Sequence, residues 1–361
     1  MKKFLILKPS SLGDVIHAFP VVSSISAHVP GAVIDWVVRP EYAELVQAHP
    51  AVRRVFLFER NRWSKWSRSL RTASEAAGLV RSLRRERYDV ALDLQGLFRS
   101  ALIAFLSGAA ERTGFANARE GAPFFYHRRV AVPEEAIHAV DRYGLVLKAI
   151  GIDGPLAGPG LRISPEVEAL VGELLAAEGA KSGVPLVVLN PNARWETKKW
   201  LSERFAELAD RLVQSLGAVV VLVGSPGDAS GVAGIVSQVK GRVVNLAGRT
   251  SLLQLAALLK RADLMVTCDS GPMHLAAAMG TKVVALFGPT DPVRTGPYGE
   301  DHRVIRSGIP CSSCLKRDCP EGTTACMAEI QVDDVFRAAV SMLGDGMEGE
   351  KKSKATYHGK H

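Results

Sequence analysis

Asp14 follows the apolar run FLIL and the turn Lys8-Pro9-Ser10-Ser11-Leu12-Gly13, and a helix-like stretch begins at it. A strand, a tight loop with Gly13 and a helix put its carboxylate at a sheet edge, where it can accept a proton from a hydroxyl nucleophile. The plainer reading is a first-turn acid favoured by the helix dipole, with Lys8 and His17 supporting the loop. A second stretch, NPNARWETKKW from Asn190 to Trp200, also follows an apolar run. Lys198 there can act as a point charge on a diphosphate and steady a departing nucleotide, or stand as half of a solvated lysine pair. The third, DLMVTCDSGPMHLAAAMGTKVVALFGPTDP from Asp263 to Pro292, ends one strand at Asp269-Ser270-Gly271-Pro272 and another at Gly288-Pro289-Thr290. Backbone amides and a helix N-terminus gathered at two strand ends suit a diphosphate. Asp269 or Ser270 as a simple N-cap is the competing reading. In the turn Gly224-Ser225-Pro226-Gly227-Asp228, the Asp228 carboxylate can bond ribose hydroxyls.

These residues need elements to hold them at one edge. Apolar strand-like runs at Lys3–Lys8, Val33–Val38, Val55–Phe58 and Val90–Leu94 alternate with helix-like segments at Asp14–His28, Glu41–His49, Thr72–Arg87, Phe98–Leu106 and Glu134–Ile150. The second half repeats the pattern. Strands at Leu186–Asn190, Val219–Val223, Val243–Leu246, Leu264–Thr267 and Lys282–Phe287 alternate with helices at Ser202–Leu216, Ala229–Val239, Ser251–Arg261 and Met273–Met279. Such alternation predicts an α/β protein with parallel sheets built from βαβ units. The expectation is two Rossmann-like domains facing across a cleft: residues 1–150, the Gly/Pro-rich linker 151–160 (GIDGPLAGPG), residues 161–343, and a polar, aperiodic, disordered tail 344–361.

A chain of 361 residues with 47% hydrophobic content is long enough for two such domains, and its apolar runs are strand-sized rather than membrane-spanning. MKKFLIL is too short an apolar run for a secretory leader, which predicts a cytoplasmic protein. The net charge of +8 implies acidic partners. Eleven Arg/Lys against three Glu lie between Arg53 and Arg87, interleaved with Trp63 and Trp66. That mixture suits an anionic membrane surface or a phosphorylated glycolipid; without a zinc-finger, helix-turn-helix or RNA-recognition signature, nucleic acid is the weaker fit. Dinucleotide G-x-G-x-x-G after a first strand and the P-loop motif are both missing from the sequence. Cys311, Cys314, Cys319 and Cys326 could hold a structural Zn²⁺ or an Fe–S cluster, but their spacing is not that of a zinc ribbon, and the leading expectation is no metal.

Read jointly, the chain resembles glycosyltransferase family 9, the bacterial lipopolysaccharide heptosyltransferases. SSLGDVIHAFP, DLQGLFRSA (93–101), HAVDRYGLVL (138–147), TKKW (197–200), DSGPMHLAAAMG and FGPTDP carry the likeness, over about residues 1–340. The resemblance implies a GT-B fold and inverting transfer of heptose from ADP-L-glycero-β-D-manno-heptose. It implies Asp14 as the base and Lys198, Asp269, Ser270, Gly271 and His274 on the donor, and the turn reading adds Asp228 to them. Ser11, Gly13, Arg60, Arg62, Lys65, Gln95 and Arg119 fall on the acceptor side. It implies no cofactor and no metal; the partners are ADP-heptose, Kdo-lipid A and the cytoplasmic face of the inner membrane, with no nucleic acid. DWVV (35–38), RNRWSKW and AREG look like the type I enzymes, which add the first heptose to Kdo, whereas PCSSCLKRDCP looks like type II.

Overall fold

The computed structural model describes residues 1–59, 70–135 and 137–355, the side chains of 70–72 and 345–355 excepted. It forms two compact units, one from Met1 to Arg162 and the other from Ile163 on. In the first, strands β1 (Lys3–Leu7), β2 (Val33–Val38), β3 (Val52–Leu57), β4 (Val90–Asp93), β5 (Glu111–Phe115) and β6 (Arg128–Val130) alternate with helices α1 (Leu12–His28), α2 (Ala43–Gln47), α3 (Leu70–Glu86), α4 (Phe98–Leu106) and α5 (Ala139–Ala149). All pairings are parallel, in the order β3-β2-β1-β4-β5-β6. A parallel sheet is covered on both faces, which is why its central strands are continuous apolar runs rather than alternating ones. Phe4, Leu5, Ile6 and Leu7 of β1 are all fully buried.

The second unit repeats the design with α6 (Pro165–Ala177), β7 (Leu186–Asn190), α7 (Ser202–Leu216), β8 (Val219–Leu222), α8 (Ala229–Val236), β9 (Val244–Asn245), α9 (Leu252–Arg261), β10 (Leu264–Cys268), α10 (Gly271–Ala278), β11 (Lys282–Phe287), α11 (Pro292–Thr295), β12 (His302–Arg306), α12 (Ala325–Ala328) and α13 (Val332–Ala355). Its parallel order is β12-β11-β10-β7-β8-β9. In each unit the first strand lies beside the fourth, so the crossovers leave it in opposite directions and open a crevice beyond the strands' carboxyl ends. In the first unit the crevice lies above β1 and β4, and in the second above β7 and β10.

Three strands escape the sequence reading. β5 (ERTGF), β6 (RRV) and β12 (HRVIR) lie at or next to sheet edges and carry the charge that protects such edges, so no apolar run marks them. Gly114 of β5 is fixed by packing: a Cβ there would meet the Tyr126 ring at 2.5 Å. The unexpected α6 does carry start signals, a Ser164 cap with Pro165 in its first turn. The expected linker docks on the first unit, where the Ala157 N–H donates to Ser24 Oγ (3.0 Å), and just beyond it the Arg162 N–H donates to the Ala48 carbonyl (3.2 Å). The tail expectation is corrected for residues 344–355: α13 runs on to Ala355, because MEGEKKSKA supplies Met, Glu, Lys and Ala, all good helix formers. Among the described residues no helix is long and apolar enough to cross a membrane.

Candidate functional site

The first unit's crevice is built by the exit of β1. Ser11 caps α1, and the Asp14 carboxylate closes a capping box: its Oδ2 accepts from the Ser11 N–H at 3.0 Å and from the Ser11 hydroxyl at 2.8 Å. Its other oxygen faces Lys8 Nζ at 3.3 Å. Lys8 is the buried member, with its side chain 4% exposed against 41% for Asp14. Its ammonium donates to the Leu94 carbonyl (3.1 Å) and lies 5.5 Å from the Tyr143 ring. The Trp36 indole N–H donates to the Lys8 carbonyl at 3.2 Å, pinning the loop from β2. Burial would raise the Asp14 carboxyl, but the Lys8 charge and the two Ser11 donors outweigh it and hold the group below the ordinary carboxylate value. Burial would likewise lower Lys8, and Tyr143 and Asp14 outweigh that, so it stays charged. Asp14 is therefore an ionised, oriented carboxylate with lone pairs open to the solvent side.

The exit of β4 completes this edge. Asp93 is buried and accepts from the Gln95 and Gly96 N–H groups (2.9 and 3.0 Å), the Ser100 hydroxyl (2.9 Å) and the Tyr126 hydroxyl (2.7 Å). Burial pushes its carboxyl up despite those donors. The turn it shapes brings Gln95 Oε1 to the Ser10 N–H at 3.4 Å, beside Ser11 and the buried Gly13. Arg119 is exposed, and its N–H donates to the Gly96 carbonyl at 3.0 Å. Asp14, Ser11, Gly13, Gln95 and Arg119 thus share the β1/β4 crevice and its rim. Arg60, Arg62 and Lys65, with Trp63 and Trp66, lie outside the described residues.

The second unit's crevice joins Lys198 to Asp269. Lys198 Nζ lies 2.6 Å from Asp269 Oδ2 and 4.6 Å from the centre of the Trp195 ring. The same carboxylate oxygen accepts from the Thr290 hydroxyl at 2.6 Å. Ser270 caps α10, with Gly271 and Pro272 opening the helix and His274 buried in its first turn. Below them the buried Asn190 amide donates to the Thr267 and Ser270 hydroxyls, both at 2.9 Å. A half-buried cation, a helix N-terminus and a hydroxyl network at the β7/β10 crevice make a seat for an anion. Asp228 lies in the turn after β8, where its Oδ2 accepts from the Ser225 N–H (2.9 Å) and hydroxyl (2.5 Å), the same capping-box arrangement that Asp14 makes with Ser11.

The cysteine-rich segment has a role that its thiols do not reveal. Cys311 and Cys314 are exposed, Cys319 is half-exposed and Cys326 is buried, all as free thiols. Among the described residues no group of three or more His, Cys, Asp or Glu side chains is arranged to hold a metal. The serines between the cysteines act instead. Ser312 and Ser313 hydroxyls donate to the Gly288 and Thr290 carbonyls, both at 3.1 Å, and the Arg317 carbonyl accepts from the Thr197 hydroxyl at 2.9 Å. Both loops of the anion seat are braced by this one segment. Cys326 and Met327 pack so closely on Gly288 that a Cβ there would lie 2.7 Å from the Met327 sulfur. Sequence reasoning passed over Tyr143, Asn190 and Thr290 as site residues; the HAVDRYG and FGPT motifs that contain two of them were the available signal.

The model of the family described as "Glycosyltransferase family 9 (heptosyltransferase)" matches residues 76–325. Lipopolysaccharide heptosyltransferase 1 of Pseudomonas aeruginosa is 34% identical over 324 residues, covering 88% of this chain and 87% of that protein. Among solved structures, Escherichia coli ADP-heptose lipopolysaccharide heptosyltransferase II superposes with a TM-score of 0.77 at 28% identity, covering 96% of this chain and all of that one (100%). E. coli heptosyltransferase WaaC with ADP gives a TM-score of 0.76 at 27% identity over 94% of this chain and 99% of that chain.

Proposed function

The chain belongs to glycosyltransferase family 9, and we propose from this membership and from its two crevices that it transfers heptose from ADP-heptose to a Kdo hydroxyl of the lipid A core. The observation that carries the reading is the Lys198–Asp269–Thr290 cluster beside the N-terminus of α10, a cation held ready at the crevice where a doubly wound sheet takes its ligand. The second unit takes the nucleotide-sugar. Lys198 exchanges its carboxylate partner for the diphosphate, and the amides around Ser270 and Gly271 share the charge that develops as ADP leaves.

The first unit takes the acceptor. Asp14 accepts the proton of the attacking hydroxyl as the new glycosidic bond forms and the bond to ADP breaks, so the anomeric carbon is inverted. Lys8 keeps that carboxylate ionised, and Ser11 keeps it aimed. Gln95 and Arg119 line the acceptor side, and Arg60, Arg62 and Lys65 are assigned to the acceptor from the family resemblance alone. The acceptor's acyl chains keep the enzyme at the cytoplasmic face of the inner membrane.

Purified protein with ADP-heptose and Kdo-bearing lipid A, in the presence of EDTA, is expected to yield a product heavier by one heptose, with ADP released. Asp14→Asn should lower turnover by about 10²–10⁴-fold, the usual share of a general base, while ADP-heptose binding is retained. Loss of donor binding in that variant would make Asp14 only a cap of α1. A second reading rests on the equally good superposition with heptosyltransferase II. Silence on the Kdo acceptor with transfer to one already carrying heptose would establish it.

A further inference from the structure

Three exposed phenylalanines of the first unit lie on two elements that pack together. Phe98 and Phe105 stand two turns apart on α4, and Phe124 lies in the short 3-10 turn Ala122–Phe125. They are 44%, 48% and 84% exposed, and no other phenylalanine among the described residues is exposed. Phe125 joins Phe98 and Phe105 into one patch, its ring centre 5.7 Å from that of Phe98 and 5.8 Å from that of Phe105, and Phe124 precedes it in the same turn. The rim is basic. The Arg112 guanidinium lies 5.2 Å from the centre of the Phe105 ring and donates to the Phe125 (2.8 Å) and Ala109 (3.2 Å) carbonyls and to His127 (2.8 Å), while Arg99, next to Phe98 in α4, and Arg119 are exposed. The acids nearby are engaged locally: Glu120 accepts from the Phe98 N–H at 3.3 Å, and Glu111 pairs with Arg128 at 2.8 Å.

Clustered aromatic rings within a cationic rim match the boundary of an anionic bilayer, where the rings leave water and the guanidinium groups meet phosphates. A second copy of the chain is the poorer occupant, since a two-fold contact would set this basic rim against itself. The patch is also continuous with the acceptor side, because α4 follows the Gln95–Gly96 turn and the Arg119 N–H is bonded to Gly96. We propose that this face docks the protein onto an anionic membrane and so presents the Gln95–Arg119 edge to an acceptor that stays in the bilayer. This rests on the reading of the acceptor as a membrane glycolipid.

The test is sedimentation of the full chain with vesicles of phosphatidylethanolamine and phosphatidylglycerol, beside turnover on a water-soluble, acyl-free Kdo acceptor. The wild type should partition onto the vesicles in a salt-sensitive manner. The triple change Phe98→Ser, Phe105→Ser and Phe124→Ser should lower partitioning by about tenfold or more, as the loss of buried aromatic area requires. Phe124→Ser alone, at the most exposed ring, should give a several-fold loss without disturbing the fold. Turnover on the soluble acceptor should be unchanged in both variants. A wild type that stays in solution, variants that sediment as well as the wild type, or a phenylalanine-dependent dimer without vesicles would each overturn the proposal. If vesicle binding depends on the phenylalanines and yet neither acceptor is glycosylated, the docking face stands and the functional reading falls.

Discussion

Asp14 and Lys8 show how a carboxylate at a helix start becomes available for chemistry. A capping box occupies one oxygen and a buried ammonium faces the other, so the group is fixed in direction and in charge. With its carboxyl held below the ordinary value of about 3.9, Asp14 is ionised throughout the neutral range, and kcat/KM should show no acid limb from it above about pH 5. Lys8→Met removes the charge that outweighs burial. The acid limb should then move upward into the measurable range, with kcat lowered, whereas Lys8→Arg should hold the limb near its wild-type position. A pH profile that does not move in Lys8→Met would reduce Lys8 to a packing residue. In the second unit Thr290→Val keeps the shape of the side chain and deletes only its bond to Asp269. The expected result is a several-fold rise in KM for ADP-heptose, of the order of 1 kcal/mol, with KM for the acceptor unchanged.

The elements explain what the sequence could disclose. Central strands such as FLIL and LVVLN are buried on both faces and announce themselves as apolar runs, so the βα alternation and the loops at the strand ends were legible. The edge strands ERTGF, RRV and HRVIR were not, because solubility demands charge where a ladder ends. The site residues divide in the same way. Asp14, Lys198 and Asp269 follow strand exits, and position together with the family resemblance singled them out. Tyr143 reaches Lys8 from α5, and Ser312 and Ser313 reach the Gly288–Thr290 turn from a segment whose cysteines drew attention away from them. Such contacts depend on tertiary packing, which no local pattern encodes. Asp228 repeats the Asp14 arrangement at the exit of β8, one carboxylate oxygen closing its own turn with Ser225. Gly114→Ala would drive a methyl group into the Tyr126 ring and, through the Tyr126–Asp93 bond, disturb the Gln95 turn. Its expected cost is about 1–3 kcal/mol, read as a lowered midpoint of urea unfolding.

At the scale of the whole molecule, one source of acid sensitivity is the buried His49, which pairs with Ser23 at 2.9 Å under the docked residues that follow α5. Burial holds its imidazole down to about 4, while the unfolded chain takes up the proton near 6.5. The neutral ring's contribution is therefore complete above about pH 6.5 and is lost as pH falls toward 4, by up to ~3 kcal/mol. Urea unfolding at pH 7 and pH 4.5 should show a drop in the wild type that is clearly smaller in His49→Asn; equal drops would assign the acid sensitivity elsewhere. The order of the strands carries a different consequence, for the moment of synthesis. Each unit makes its central strand first, and Phe4 waits for Val90 just as Val187 waits for Leu264. At ribosomal speeds of ~5–20 residues per second, each wait lasts roughly 5–15 s. For that interval an apolar central strand of each half leaves the ribosome without its inner neighbour, which makes the nascent chain, rather than the finished enzyme, the form most in need of a chaperone.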